Sequence, residues 1–264
     1  MRTAVTQQEV ERYRRDGFLL MPDFLGAGEL DAWRAAVERG VATRLAEADG
    51  LSNADSDAYY RQVFAQVSGL IRVEPRMAEL LLDARIGDLA AALTGVERMR
   101  LWNDQALFKP PWGNPTAWHL DAPYWSFDDR RALTVWVALD DATVENGCLW
   151  YLPGTHRSAR FDAFDLGSNL GGIFDTYPEW RELPSVPAVL PAGGAVWHNG
   201  LIAHGAGANM TPGGRRAMTC AYMPDGVTYN GKRDEFVFTA EQAAALQVGE
   251  PLDDDVVNPL VGSA

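Results

Sequence analysis

Two textures of hydrophobic spacing meet near residue 98 of this chain. Upstream, Leu30, Trp33, Val37, Val41 and Leu45 recur at helical intervals. Residues three and four apart share a helix face, so this spacing predicts a helix from about 29 to 47. An earlier helix opens at Thr6-Gln7-Gln8-Glu9, a capping box in which the Thr6 hydroxyl and the Glu9 carboxylate satisfy each other's backbone donors. It runs through Tyr13 and ends at Gly17, a residue suited to the left-handed position past a helix end. Phe18–Met21 reads as a short buried strand stopped by Pro22, and 49–57 as a polar loop. Two more helical stretches, 77–82 and 86–93, close near Gly95.

Downstream the period shortens. Segments rich in β-branched and aromatic residues, bounded by Gly, Pro and Asn, read as strands over Met99–Lys109, 132–140, 149–152, 186–190, 195–198, 201–205 and 216–223. Short strands at this spacing predict an antiparallel barrel or jelly roll. There is no βαβ alternation and no glycine-rich phosphate loop, and Gly171-Gly172 and Gly213-Gly214 read as turns. The stretch 158–187 is long and strand-poor, which suggests a lid. The expected fold is mainly β with flanking helices, as one domain over 1–264. It has a helix-rich part to about 97, a β-core over about 98–224 and a C-terminal extension from 225.

Composition changes this picture little. Hydrophobic residues make up 47% and charged residues 22%, ordinary for a globular protein. No apolar run approaches the ~20 residues that span a bilayer. The first residues lack the apolar segment of a signal peptide. Two cysteines, Cys148 and Cys220, make no disulfide framework, so a cytoplasmic location is the simplest reading. A net charge of −13 argues against a nucleic-acid partner, whose recognition needs a basic footprint. The expected partner is a small molecule, for a monomer or weak homo-oligomer.

The chemistry lies in four histidines: His119, His156, His198 and His204. In Trp118-His119-Leu120-Asp121 an imidazole and a carboxylate two residues apart would project from one face of a strand. With one distant imidazole they make a 2-His-1-carboxylate set, which leaves about three positions open on an octahedral iron. His198 and His204 are both candidates for that imidazole. His204 is favoured, because Gly205 and Gly207 follow it and Arg215-Arg216 begins eleven residues on. His198 would then pack near the site or donate to a backbone carbonyl, and His156 would sit in a turn. Strand alternation sends one arginine of the pair inward, where a bidentate carboxylate is its best partner.

The runs 101–111 and 118–125, then Leu133-Thr134-Val135-Trp136, Glu145-Asn146-Gly147-Cys148 and Leu152-Pro153-Gly154-Thr155-His156, resemble the phytanoyl-CoA dioxygenase family. The segment from His204 to Arg215 and the opening Tyr13–Phe18 fit as well, so the resemblance spans most of 7–224. It implies a double-stranded β-helix, or jelly roll, in which His119, Asp121 and His204 hold Fe(II). Arg215 would clamp the distal carboxylate of 2-oxoglutarate. Trp136 and Thr134 match positions lining the co-substrate pocket, and Lys109 and Gln105 match polar positions on the neighbouring strand.

The implied reaction consumes O2 and 2-oxoglutarate and releases succinate and CO2. Ala206 departs from relatives that carry serine there, a lost contact worth about 1 kcal/mol. Asp121 stands where family-like halogenases carry a small residue, which favours hydroxylation, desaturation or ring formation. No basic cluster suits coenzyme A, so a small metabolite of secondary metabolism is the expected substrate. Aromatic residues near the motif (Trp112, Trp118, Tyr124, Trp125 and Phe127, with Trp150, Phe161, Phe164 and Trp180 further on) divide between pocket and core. A cupin-like metal isomerase and a non-catalytic small-molecule-binding barrel are the alternatives, and Arg215 speaks against the first. The run Asp253-Asp254-Asp255 reads as solvated.

Overall fold

Leu133–Ala138 is buried along its whole length, so its strand must be covered on both faces. The computed structural model, which describes residues 1–47, 59, 62–162 and 169–262, shows how. Leu133, Val135 and Val137 face a helical layer, while Trp136 and Ala138 face a second sheet.

The helical layer follows from local signals. The Thr6 and Glu9 side chains cap α1 (Gln7–Asp16) reciprocally, and Gly17 ends it at φ 85°. A Cβ at Gly17 would lie 2.5 Å from His156 Nδ1, so only glycine fits. Helix α2 (Ala27–Ala46) buries Leu30, Trp33, Val37 and Val41. Leu45 departs from the expected stripe and is exposed, because the helix's last turn buries Arg44 instead, with Nε donating to the Ser68 carbonyl. Helices α3 (Pro75–Leu81) and α4 (Ala84–Thr94) complete the layer, with Gly95 left-handed at the end of α4.

Among the described residues ten strands form two antiparallel sheets. They are β1 (Phe18–Met21), β2 (Ala65–Ser68), β3 (Met99–Lys109), β4 (Thr116–His119), β5 (Leu133–Ala138), β6 (Leu149–Tyr151), β7 (Val186–Ala188), β8 (Ala195–Asn199), β9 (His204–Ala206) and β10 (Arg215–Pro224). The larger sheet runs β1-β8-β5-β10-β3-β2 and the smaller β4-β9-β6-β7. Face to face they make a jelly roll.

Some boundaries move. Residues 201–203 form a turn rather than strand: Ile202 N–H donates to the Asn199 carbonyl and Ala203 N–H to the Thr155 hydroxyl, so β9 begins at His204 itself. Short β2 and β4 carry too few residues to show a period. The chain beyond β10 returns to β3, where Val261 N–H donates to the Met99 carbonyl. Asp255 in that return is not merely solvated: its carboxylate pairs with buried Arg100 at 2.6 Å. The polar loop expected at 49–57 lies outside the described residues. Among the described residues no helix is long and apolar enough to cross a membrane.

Candidate active site

The register of the smaller sheet sets His119 on β4 directly against His204 on β9. Their ring centroids are 4.1 Å apart. Asp121 reaches the same point by another route than a shared strand face. β4 stops at His119, and Asp121 has helical backbone angles, φ −82° and ψ −49°, at the start of a short 3-10 turn over Ala122–Tyr124. Pro123 has no N–H to continue a ladder. The N–H groups of Asp121 and Ala122 instead both donate to the Gly200 carbonyl, at 3.0 and 2.8 Å. A Cβ on Gly200 would meet the Trp125 ring at 2.5 Å, so the close approach needs glycine.

The result is a cluster of three ligand atoms, one from each of His119, Asp121 and His204, all within 4.8 Å of one another. Asp121 Oδ1 lies 3.6 Å from both His119 Nε2 and His204 Nε2. The opposite ring nitrogens are occupied: His119 Nδ1 is 2.8 Å from the Ala117 carbonyl and His204 Nδ1 is 3.1 Å from the Ile202 carbonyl. A carbonyl only accepts, so each Nδ1 carries the proton and each Nε2 presents a lone pair inward. Burial, with a contribution from the neighbouring imidazoles, pushes both histidines down to about 4, which keeps them neutral. Burial opposes ionisation of Asp121, but His204, His198 and His119 together hold its carboxyl below the usual range.

His198, left open by the sequence, is not part of that cluster. Its Nε2 lies 3.2 Å from Asp121 Oδ2, which also accepts from the Thr134 hydroxyl at 3.0 Å. Its Nδ1 lies 3.0 Å from the Tyr151 hydroxyl rather than at a backbone carbonyl. His156 contacts the Arg14 carbonyl through Nε2 and is structural, as expected for a turn histidine.

Behind the cluster lies Arg215, 2% exposed at the start of β10. Its guanidinium carbon stands 5.0 Å above the Trp136 ring. Among the described residues its Nε and Nη1 have no hydrogen-bond partner. Burial draws it down to about 10, which still leaves it charged at neutral pH. Arg216 points the other way and pairs with Asp140 at 2.7 Å, so alternation sorted the two arginines as anticipated.

Cluster and arginine open into one cavity of about 720 Å³ between the sheets. The strand pairing lays two inward rows across the larger sheet: Gln105 opposite Thr219 opposite Trp136, and Asn103 opposite Ala221 opposite Thr134. All six line the cavity. Lys109 does not line it: its ammonium turns to the Val63 and Asn114 carbonyls, at 3.1 and 2.5 Å. Of the aromatic residues near the motif, Tyr124 and Trp125 reach the cavity wall. Trp112 is 64% exposed, and Trp118, Phe127 and Trp180 belong to a core cluster.

The expected lid is also displaced. No described residue of 158–187 lines the cavity, and residues 163–168 lie outside the description. The mouth is bordered by Arg233, Asp234, Glu235 and Phe236 from beyond β10. Sequence reasoning missed this segment because it has no periodicity. Its position is fixed by the Ser126 hydroxyl, which accepts from Asp234 N–H, and by Arg72, which donates to the Val237 carbonyl.

Comparison with known proteins matches residues 13–217 to the family described as Phytanoyl-CoA dioxygenase (PhyH). The chain belongs to the phytanoyl-CoA dioxygenase family. The dioxygenase is 29% identical over 230 residues to methylphosphonate hydroxylase of Gimesia maris, covering 84% of this chain and 82% of the relative. Its fold superposes with a TM-score of 0.83 on the non-heme alpha ketoglutarate dependent carbocyclase SnoK from nogalamycin biosynthesis, at 27% identity, covering 97% of this chain and 96% of that one. The epimerase SnoN, solved with Fe3+, alpha ketoglutarate and nogalamycin RO, matches with a TM-score of 0.78 at 30% identity, covering 97% and 98%.

The dioxygenase is therefore an Fe(II)- and 2-oxoglutarate-dependent oxidoreductase, with a jelly-roll core of the kind its neighbours share. Its own residues fit both cofactors. Two neutral imidazoles and an ionised carboxylate are a donor set suited to Fe(II) with open positions. A buried guanidinium with two partnerless nitrogens is an incomplete anion site, which a carboxylate would complete.

Proposed function

We propose that His119, Asp121 and His204 hold the iron, and that Arg215 takes the distal carboxylate of 2-oxoglutarate between itself and the metal. The observation carrying this reading is the single cavity that joins a three-atom ligand cluster to a buried, partnerless guanidinium. Bound together, the two cofactors supply dioxygen-driven oxidation of a C–H bond, with 2-oxoglutarate consumed to succinate and CO2. The residues of the chain do the rest. Trp136 and Leu149 wall the co-substrate off from water, Thr134 steadies Asp121, and Gln105 and Thr219 offer hydrogen bonds between arginine and metal. Lys109 lies outside the contact set in this reading and supports the strand end beside Arg215.

The substrate we propose is an uncharged, ring-bearing small molecule of secondary metabolism. Phe64, Tyr124, Trp125 and Phe236 give the cavity an aromatic wall, and the Asn103 carboxamide lies on the same lining. Such a wall suits a flat apolar body with a few oxygen functions. Its neighbours SnoK and SnoN, named for nogalamycin biosynthesis, support this class, and their carbocyclase and epimerase names extend the outcome beyond hydroxylation.

The test is aerobic incubation with Fe(II), 2-oxoglutarate and a panel of polycyclic natural-product intermediates, following succinate and substrate by mass spectrometry. Substrate-stimulated succinate release that Asp121→Ala and Arg215→Ala abolish supports the reading. Unchanged turnover in both variants sinks it.

A further inference from the structure

We propose that His198, keyed by Tyr151, is a positioning residue that makes Asp121 offer one oxygen, Oδ1, to the metal. The inference rests on the metal site proposed above and concerns what holds its carboxylate.

A free carboxylate can chelate through both oxygens, which would take an additional coordination position. Here the two oxygens are treated differently. Oδ2 accepts from the Thr134 hydroxyl at 3.0 Å and lies 3.2 Å from His198 Nε2. Oδ1 faces the Nε2 atoms of His119 and His204, at 3.6 Å each. Swinging Oδ2 toward the metal would break both hydrogen bonds and strand a buried imidazole N–H and a hydroxyl.

The orientation of His198 follows from its neighbours. An ionised carboxylate only accepts, so Nε2 carries a proton and donates to Oδ2. The Tyr151 hydroxyl lies 3.0 Å from Nδ1 and holds the other edge of the ring by a hydrogen bond. The Tyr151 ring is itself locked, stacked on Phe18 at 4.4 Å and 11°. His198 is 2% exposed, and its backbone pairs with Phe18 on one side and Thr134 on the other. One rigid chain of hydrogen bonds thus runs Tyr151, His198, Asp121, with Thr134 bracing the same oxygen.

The experiment measures Mn(II) affinity of the metal-free full-length protein by calorimetry, and the visible absorption of its Co(II) form, which reports coordination number. Four variants are compared: His198→Leu, His198→Gln, Tyr151→Phe and Asp121→Ala. His198→Leu removes the donor, and the expected loss is about 10–100-fold in Mn(II) affinity, as for other partners of metal-bound side chains. Its Co(II) spectrum should depart from the parent's, as the freed carboxylate oxygen competes for an open position. His198→Gln keeps an N–H at similar reach and should restore most of the affinity. Tyr151→Phe keeps the stacked ring, frees the imidazole at Nδ1, and should fall between.

If His198→Leu or Tyr151→Phe binds Mn(II) and Co(II) as the parent does while Asp121→Ala has lost both, the positioning role is wrong and the metal site stands. If Asp121→Ala also binds as the parent does, the site itself is wrong. Should His198→Leu fail to fold, Tyr151→Phe and His198→Gln still decide the matter through the Co(II) spectrum.

Discussion

Arg215 stands 5.0 Å above the ring of Trp136 with two of its nitrogens bonded to nothing among the described residues. The aromatic face compensates part of the buried charge but supplies no acceptor. Within the protein the guanidinium therefore keeps capacity for a further acceptor on its cavity side.

Arg215→Leu should accordingly melt higher than the parent without ligands, and gain less from 2-oxoglutarate than the parent does. The parent, loaded with Mn(II) under anaerobic conditions, should gain about 2.7 kcal/mol when 2-oxoglutarate reaches 100 times its Kd. The variant's 2-oxoglutarate affinity should fall about 10–100-fold, the equivalent of one lost charge-assisted bond. Scanning calorimetry and a 2-oxoglutarate titration check both halves. A variant that melts lower and still responds fully to 2-oxoglutarate would contradict them.

Two buried groups should tilt stability with pH in opposite directions. Burial, aided by Arg215, pushes the Lys109 ammonium from 10.5 down to about 7. Between those values the unfolded chain binds more protons, so stability should rise with pH across that window. Burial raises the Asp104 carboxyl from 3.8 to about 6 despite donors from Leu70 and Ile71. There the folded state binds more protons, so stability should fall as pH climbs from 3.8 to 6. Urea denaturation across a pH series should show Lys109→Met flattening the upper slope. Asp104→Asn should remove part of the lower one, the remainder belonging to Asp234, which burial also raises to about 6.

Arg100 is gripped by two aspartates of unequal burial. Its side chain is 7% exposed, and Asp225, 19% exposed, meets Nε at 2.5 Å. Asp255 is 74% exposed. Asp225→Asn should cost on the order of 3 kcal/mol, because it weakens a buried pair and leaves the cation short of a partner. Asp255→Asn should cost under about 1 kcal/mol, as solvent already screens it. Equal losses in urea midpoints would show that burial does not decide the difference.

Phe236 lines the cavity and is not among the three clustered ligand residues. Phe236→Ala should raise KM for the substrate and admit bulkier ones, with Mn(II) and 2-oxoglutarate affinities unchanged. Calorimetry on both ligands, beside substrate profiling, separates this from a general loss of fold.

The sequence motif located the ligand cluster, though part of the reasoning behind it was replaced by the structure. His119 and Asp121 meet because the chain turns at Asp121 onto the Gly200 carbonyl, not because they share a strand face. Spacing alone could not separate an alternating strand from a turn that delivers the same two side chains. The role of His198 was open for a similar reason: it depends on β8 lying beside β5, which sets His198 against Thr134, and pairing order is a long-range property. Local signals read well where they are self-contained, as at the Thr6 cap and the left-handed Gly17. They failed at Leu45, where an apolar residue at the right interval falls past the layer it would pack on.

The segment bearing Arg233 to Phe236 lies beyond residue 217, where the match to the family ends. The cavity is thus assembled from two lengths of chain, one inside the family match and one beyond it. One contains His119, Asp121, His204 and Arg215, proposed to hold iron and the distal carboxylate of 2-oxoglutarate, and the other completes the rim against which a substrate must fit. Exchanging the second between relatives would re-aim the enzyme at a different molecule while its oxygen chemistry stayed the same.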